Sequence, residues 1–460
     1  MTDATKEPAV LTVPDVLLSY RARIFAITDC ATVHIAHAQD HHTRRIKSLF
    51  DKMVAMGAVP TVDAEGKTKT ISISAADVGL MKEVAQLLPF PPHTNMLARS
   101  MLIYGFSIFD AFLGSLLRAL FHEDRQLIHT LEEKEMKVSE VLSCNTVQGL
   151  LDRLIERDIS NLLRESYEDL FDKLATRHKL TTLTKFENWP VFVECSQRRN
   201  LITHCDGVVN NYYLDKCNAA NAPVETDCII GTRLEVTPEY LTTAFNILYE
   251  VGVMLAHTLW RKTSPERTEE SEKELTSEIY ELLLKDHWYL ARRIGQFAVG
   301  LPKKKSDIQN KLIRINYAQA LKWGGDNSGA LRQLDDDDWS ASVRDLRLAV
   351  EVIRGNYAAA ATLMRQIGKN GEYVDINGYR QWPLFREFRD SSEYAIAFVE
   401  IYGEPPAPLL EAEPLRPIDA IASNATTDVA TNEQPDSSIG ELTNASKVAH
   451  RKKVAKRKLP

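Results

Sequence analysis

The chain has 460 residues, of which 44% are hydrophobic and 26% are charged. This composition is typical of a globular protein with a sizeable core and excludes a chain that is disordered throughout. The sequence has no uninterrupted run of about 18 apolar residues, and its start lacks the basic and apolar regions of a signal peptide. We therefore expect a cytoplasmic protein with no membrane segment. The formal net charge of -7 excludes a globally basic coat for nucleic acid.

Residues 1–90 are predicted to form a helical lead-in with a small hairpin. Residues 14–57 carry apolar positions at helical spacing and end at a glycine, which predicts one or two helices. Residues 67–74, KTKTISIS, alternate in the manner of a strand after a turn-like segment. This alternation predicts a minor β-hairpin near residues 60–75.

Residues 91–262 are predicted to form a helical bundle. Four segments carry the helical period, namely 95–123, 147–178, 189–207 and 237–262. The first of them is strongly apolar, with Asp110 and Arg118 as the only charges in its middle, which predicts a buried helix. We therefore predict an antiparallel bundle and an all-α fold class.

Residues 275–404 are predicted to form a helical-repeat-like domain. Two segments, 316–334 and 347–364, each fit a helix, a polar turn with glycine and a helix of small residues, and Gly325 overlays on Gly355. This pattern resembles tetratricopeptide-type repeats, although its period is shorter than their repeat of about 34 residues. The resemblance implies a surface for a protein partner.

Residues 405–460 are predicted to be a disordered arm with a basic C-terminus. They are rich in proline, acidic and small residues, which form no core, and they carry RKKVAKRK near their end. This basic run either contacts phosphates and anionic surfaces or keeps the arm soluble.

The candidate site lies in the segment SQRRNLITHCDG, residues 196–207. Pro190 suits the first turn of its helix and Gly207 suits the position just past its end. Asn200 and His204 are one helical turn apart on one face, whereas Arg199 and His204 are about 140° apart. The long Arg199 side chain still brings both groups to one phosphate-sized spot, and a helix C-terminus favours a protonated imidazole. The combination suits acid–base chemistry on an anion.

The segment RRNLITHCDGVVNNYYL, residues 198–214, resembles the Arg-x4-His motif of HEPN domains (higher eukaryotes and prokaryotes nucleotide-binding). Arg199, Asn200 and His204 are in register with that motif, and two longer helices precede it, as in that family. The resemblance implies a helical bundle with the activity of an endoribonuclease that needs neither a metal nor a cofactor. RNA brings its own nucleophile, the 2′-hydroxyl beside the scissile phosphate.

In this chemistry His204 transfers protons, Arg199 holds the phosphate, and Asn200 orients the imidazole or the RNA backbone. One histidine cannot stand on both sides of the phosphate, so we expect a homodimer with a shared cleft. Asp110 either holds the catalytic arginine or pairs with Arg118 or lies at an exposed edge. The neighbouring Arg198 either adds positive charge for the phosphate or is a solvated neighbour.

Two other interpretations of the motif stay open. The segment is also compatible with an ordinary helix end whose charges are merely solvated, and with a non-catalytic HEPN domain that dimerises as a scaffold while the repeats bind a protein partner. A toxin or phage-defence role follows only by analogy with the family. Asp206 occupies the position where some HEPN toxins carry a tyrosine that a partner enzyme modifies, so control by that route is not expected.

Overall fold

The computed structural model of the chain describes residues 11–55, 59–62, 68–72, 82, 93–131, 135–226 and 228–406. Within these residues the fold is all-α, as the periodicity predicts, apart from one short pair of strands. The predicted C-terminal arm lies outside the described residues from position 407 onward.

The N-terminal part begins with one continuous helix, α1 (Val13–Ala55), where the sequence allowed one or two. Two short strands, β1 (Val59–Val62) and β2 (Thr68–Ser72), then pair in antiparallel fashion. The connection between them lies outside the described residues, so the hairpin near residues 60–75 stays a prediction. Helix α2 (His93–Glu123) follows.

The segment predicted as helical over 147–178 is two helices. After a 3-10 turn (Arg125–Thr130) and the short α3 (Val138–Leu142), α4 (Val147–Leu162) is followed by α5 (Tyr167–His178). The break occurs because the Ser166 hydroxyl accepts a hydrogen bond from the Asp169 amide at 3.2 Å and so caps a new helix. This cap puts Tyr167 at the first position of α5.

The helix with the candidate site, α6 (Trp189–Cys205), has Pro190 in its first turn, as expected. Gly207 lies just past its end with φ +78°, in the left-handed region that favours glycine. Its amide donates to the Leu201 carbonyl at 2.9 Å and closes the helix end. Helices α7 (Asn211–Ala219) and α8 (Pro238–Thr263) follow.

The rest of the described chain is a series of shorter helices. They are α9 (Thr268–Leu284), α10 (Trp288–Gly300), α11 (Asp307–Trp323), α12 (Asn327–Asp335), α13 (Arg344–Arg354), α14 (Tyr357–Ile367), α15 (Ile376–Gln381), a 3-10 turn (Pro383–Phe385), α16 (Arg386–Arg389) and α17 (Ser392–Tyr402). The two overlaid segments are both helix–turn–helix units, with Gly325 (φ +89°) and Gly355 (φ +77°) in their turns.

The main apolar core is formed by α1, α2, α4 to α6 and α8 to α11. Buried residues of α1, such as Tyr20, and of α9, such as Leu275, belong to the same core as the bundle helices, so the core is not interrupted at residue 262. A second core lies among residues 315–398. A small third cluster, which includes Leu201 and Tyr213, packs at the C-terminal end of α6.

Helix α2 is long and apolar enough to cross a bilayer by length and composition. Within Thr94–Glu123 an 18-residue window has a mean hydropathy of 1.6, and 56% of that window is buried inside the protein. No other helix among the residues described above meets this criterion. Helix α2 packs against α1 and α8 in the main core.

Candidate functional site

A surface pocket of about 440 Å³ brings four of the five predicted site residues together. Asp110 of α2 and Arg199, Asn200 and His204 of α6 all line it. The junction between α4 and α5 and the start of α7 complete its lining. Helix α6 therefore presents the motif to a cavity large enough for a small ligand.

The three motif residues differ in exposure along α6. Arg199 and Asn200 are half-buried, and His204 is exposed near the end of the helix. Arg199 and His204 are five positions apart, which corresponds to about 7.5 Å along the helix axis. The arginine thus lies deeper in the pocket, and the imidazole lies nearer to its rim.

The Arg199 guanidinium is held by a tyrosine hydroxyl and by an aromatic ring face. Its Nη2 donates to the Tyr167 hydroxyl at 3.0 Å, and its guanidinium lies 5.1 Å from the centre of the Phe106 ring. Among the described residues, no carboxylate oxygen lies within 4.0 Å of the guanidinium, and Nε is buried without a hydrogen-bond partner. A half-buried cation with an unused buried donor favours an anionic ligand, because that ligand supplies the missing acceptor.

Asp110 reaches Arg199 through a tyrosine. The Tyr167 hydroxyl donates to Asp110 Oδ1 at 2.6 Å while it accepts from Arg199. Burial raises the pKa of the Asp110 carboxyl, and the hydrogen bond from Tyr167 and the charge of Arg199 partly oppose this rise. The alternative salt bridge to Arg118 is not formed, since Arg118 pairs with Glu156 at 2.6 Å.

Arg198 lies outside the pocket, which corrects the expectation that it adds charge for a phosphate or is solvated. Its side chain is 4% exposed, with Nε 2.7 Å from Glu194 Oε1 and Nη2 2.8 Å from Glu225 Oε1. Its guanidinium stacks 4.0 Å from the centre of the Tyr240 ring. Successive residues of a helix point about 100° apart, so the Arg198 side chain points into the protein, whereas the Arg199 side chain faces the pocket. Its charge is balanced inside the fold.

The end of α6 is fixed by a cluster of charges around Asp206. Asp206 Oδ1 lies 3.0 Å from Arg99 Nη2, and its other oxygen accepts from Arg233. The hydrogen bond from Arg233, with a smaller contribution from Arg99, lowers the pKa of Asp206. A β-carbon on Gly207 would lie 2.9 Å from Arg99 Nη2. These contacts hold the turn that positions His204.

Three pocket residues escaped sequence reasoning. Tyr167, which connects Asp110 to Arg199, lies just after the break between α4 and α5, and the Ser-x-x-Asp cap at Ser166 was the signal for that break. Arg164 and Tyr212 are exposed residues at the pocket. Tyr212 belongs to the NNYY segment that follows the motif, where an aromatic residue next to a polar turn was the available signal.

Comparisons with known proteins identify no relative of this chain. No protein-family model, no curated protein and no solved structure matches this chain. Within the described ranges, no group of three or more His, Cys, Asp or Glu side chains is arranged to hold a metal ion.

Proposed function

We propose that the chain is a metal-independent endoribonuclease of the HEPN type, with Arg199, Asn200 and His204 as its reaction centre. The observation that carries the proposal is the convergence of these three side chains on one pocket, in which the arginine has no carboxylate partner among the described residues. Had Arg199 and His204 been held in separate ion pairs away from any cleft, the proposal would have had no support.

The reaction follows from the groups in the pocket. A base removes the proton of the RNA 2′-hydroxyl, the 2′-oxygen bonds to the adjacent phosphorus, and the bond from phosphorus to the 5′-oxygen breaks. An acid protonates the departing 5′-oxygen, so the products are a 2′,3′-cyclic phosphate and a 5′-hydroxyl. His204 transfers protons, Arg199 stabilises the charge that grows on the phosphate oxygens, and Asn200 orients the imidazole or the RNA backbone.

Arg199 is positioned for this role by Tyr167 and Asp110. Because its hydrogen-bond partner is a hydroxyl rather than a carboxylate, little of its charge is neutralised before a phosphate arrives. The ring faces of Phe106 and Tyr167 hold the guanidinium plane. A held, partly buried cation stabilises a developing anion more than a mobile surface arginine does.

A homodimer completes the reaction centre in this proposal. One imidazole cannot act as base and acid on opposite sides of one phosphate, whereas two protomers supply His204 and Arg199 twice. The exposed position of His204 at the pocket rim leaves it accessible to a second copy. A cytoplasmic toxin or phage-defence role, with residues 275–404 binding a protein partner, rests on family analogy alone.

The test is cleavage of single-stranded RNA in EDTA by the purified full chain. We expect cleavage with cyclic-phosphate ends, and we expect His204→Ala and Arg199→Ala to lower the rate at least about 100-fold. Matched controls are His122→Ala and Arg332→Ala, which change exposed residues outside the pocket and should keep the rate. RNA with a 2′-deoxy sugar at the cleaved position should resist cleavage.

Two results would reject the proposal. The first is equal cleavage by wild type, His204→Ala and Arg199→Ala, which would assign the activity to other residues. The second is a complete absence of cleavage by a folded wild-type dimer on every RNA tested, which would favour the non-catalytic scaffold. In that case the same pocket surface would serve dimerisation or nucleic-acid binding.

A further inference from the structure

Tyr212 is an exposed aromatic residue at the rim of the pocket. It lies in the first turn of α7, and 58% of its surface is exposed to solvent. Large aromatic side chains are normally buried or covered because exposing their apolar ring surface to water costs free energy. The next residue, Tyr213, follows this rule, since it is buried and its hydroxyl donates to Glu194.

The place of Tyr212 along the pocket is fixed by the start of α7. The Asn210 side chain donates from Nδ2 to the Cys205 sulfur at 3.5 Å and caps α7 by accepting from the Tyr213 amide at 2.9 Å. Cys205 directly follows His204, so Tyr212 lies at the His204 end of the pocket. Arg199, by contrast, lies about 7.5 Å back along α6.

A cation accompanies the exposed ring. Lys216, one helical turn further along α7, places Nζ 5.7 Å from the centre of the Tyr212 ring. Within the part of the chain that the structure describes, no carboxylate oxygen lies within 4.0 Å of Lys216 Nζ. An exposed ring next to an unpaired cation is the combination with which proteins bind single-stranded nucleic acid, because the ring stacks on a base and the cation contacts the backbone.

We propose that Tyr212 and Lys216 form a nucleobase platform, on which a base next to the scissile phosphate stacks. The inference deepens the proposed function and rests on it for the substrate class, which is single-stranded RNA with an unstacked base at this position. In a duplex the bases are already stacked on their neighbours and their faces are covered. The platform therefore selects loops, ends and single strands, and it reads the sequence only weakly because every base has a stacking face.

The test measures binding separately from cleavage. The probe is a fluorescent 2′-O-methyl oligouridylate, which lacks the nucleophile and stays intact with the wild-type chain. We expect Tyr212→Ala to weaken its binding about 5- to 150-fold, while Tyr212→Phe keeps the affinity within about twofold because the ring is retained. Tyr104→Ala is the matched control, since Tyr104 is 53% exposed and does not line the pocket.

A second variant tests the platform through its charge. Lys216→Gln should lower the slope of log affinity against log salt by about 0.7, the value for one phosphate contact to a single strand. In cleavage assays Tyr212→Ala should raise KM and leave kcat nearly unchanged. The same oligouridylate annealed to its complement should bind more weakly than the single strand.

The outcomes separate the two proposals. Binding of the probe through Tyr212 by a chain that cleaves no RNA would retain the platform and reject the nuclease. The platform alone would be rejected if cleavage is retained, Tyr212→Ala binds the probe as wild type does, and Lys216→Gln shows an unchanged salt slope. Failure of the wild-type chain to bind the probe would also overturn the platform. A Tyr212→Ala variant that loses the dimer but binds the probe as tightly as wild type would overturn it as well.

Discussion

Arg198 and Arg199 are neighbours in the chain, and we predict that their truncation to alanine separates stability from activity. Arg198 is enclosed, with Glu194 as a partner whose side chain is also only 4% exposed. Arg199 has a neutral hydroxyl as its hydrogen-bond partner and faces the pocket. The two substitutions remove the same chemical group from opposite environments.

The magnitudes follow from what each truncation leaves behind. Arg198→Ala leaves Glu194 as a buried carboxylate without its cation, which costs about 3–5 kcal/mol of the free energy of unfolding. Hydroxyls of Tyr213 and Tyr240 still donate to Glu194 at 2.8 Å, so we expect the lower end of this range. Arg199→Ala loses one hydrogen bond to a neutral acceptor and its contacts with ring faces, which together are worth about 1–2 kcal/mol.

The assay is urea unfolding of both variants beside RNA cleavage by the same preparations, at a temperature where both remain folded. Arg198→Ala should be the less stable variant and keep most of its specific activity per folded molecule, whereas Arg199→Ala should lose only about 1–2 kcal/mol of the free energy of unfolding and be inactive. Arg332→Ala controls for the loss of an exposed arginine. An equal loss of stability in Arg199→Ala and Arg198→Ala would refute this prediction, since Arg199 would then be part of the structural core.

Three further predictions test particular contacts. Burial raises the pKa of the Glu278 carboxyl from 4.5 to about 7. The protonated carboxyl therefore contributes its full stability below its pKa in the unfolded chain, and this contribution is lost as pH rises through 7. The unfolding free energy of wild type should therefore fall by about 3 kcal/mol relative to Glu278→Gln between about pH 4 and about pH 9, and parallel profiles in urea would contradict this. Gly207→Ala should cost about 1–2 kcal/mol for its positive φ and a further amount for the contact of the new β-carbon with Arg99. Its melting temperature should therefore fall more than that of Gly231→Ala, where a β-carbon would meet open space. Equal shifts of the two melting temperatures would disprove the contact. Tyr167→Phe removes the donor to Asp110 and should cost about 1–3 kcal/mol and reduce RNA cleavage; unchanged values in both measurements would remove Tyr167 from the site.

Local sequence determined the helices and the candidate motif. The periods that define α2, α6 and α8, the proline in the first turn of α6 and the glycine just past its end are all properties of short segments. Capping and helix geometry act within a few residues, so these signals survive without knowledge of the fold. The exception is the break at Ser166, where a local cap was present but the helical period on both sides concealed it.

Only the tertiary structure decided which side chains surround the motif. The helix period places Arg198 and Arg199 about 100° apart but does not say which of them faces the core. The Asp110–Tyr167 contact joins residues 57 positions apart, and the contact from Tyr167 to Arg199 spans 32. Such pairs depend on how three helices pack against one another, and this packing is set by the summed burial of apolar side chains along their whole length. The sequence alone thus predicts a motif with charges of the right kind, and the packing decides that Arg199 stays available while Arg198 is neutralised.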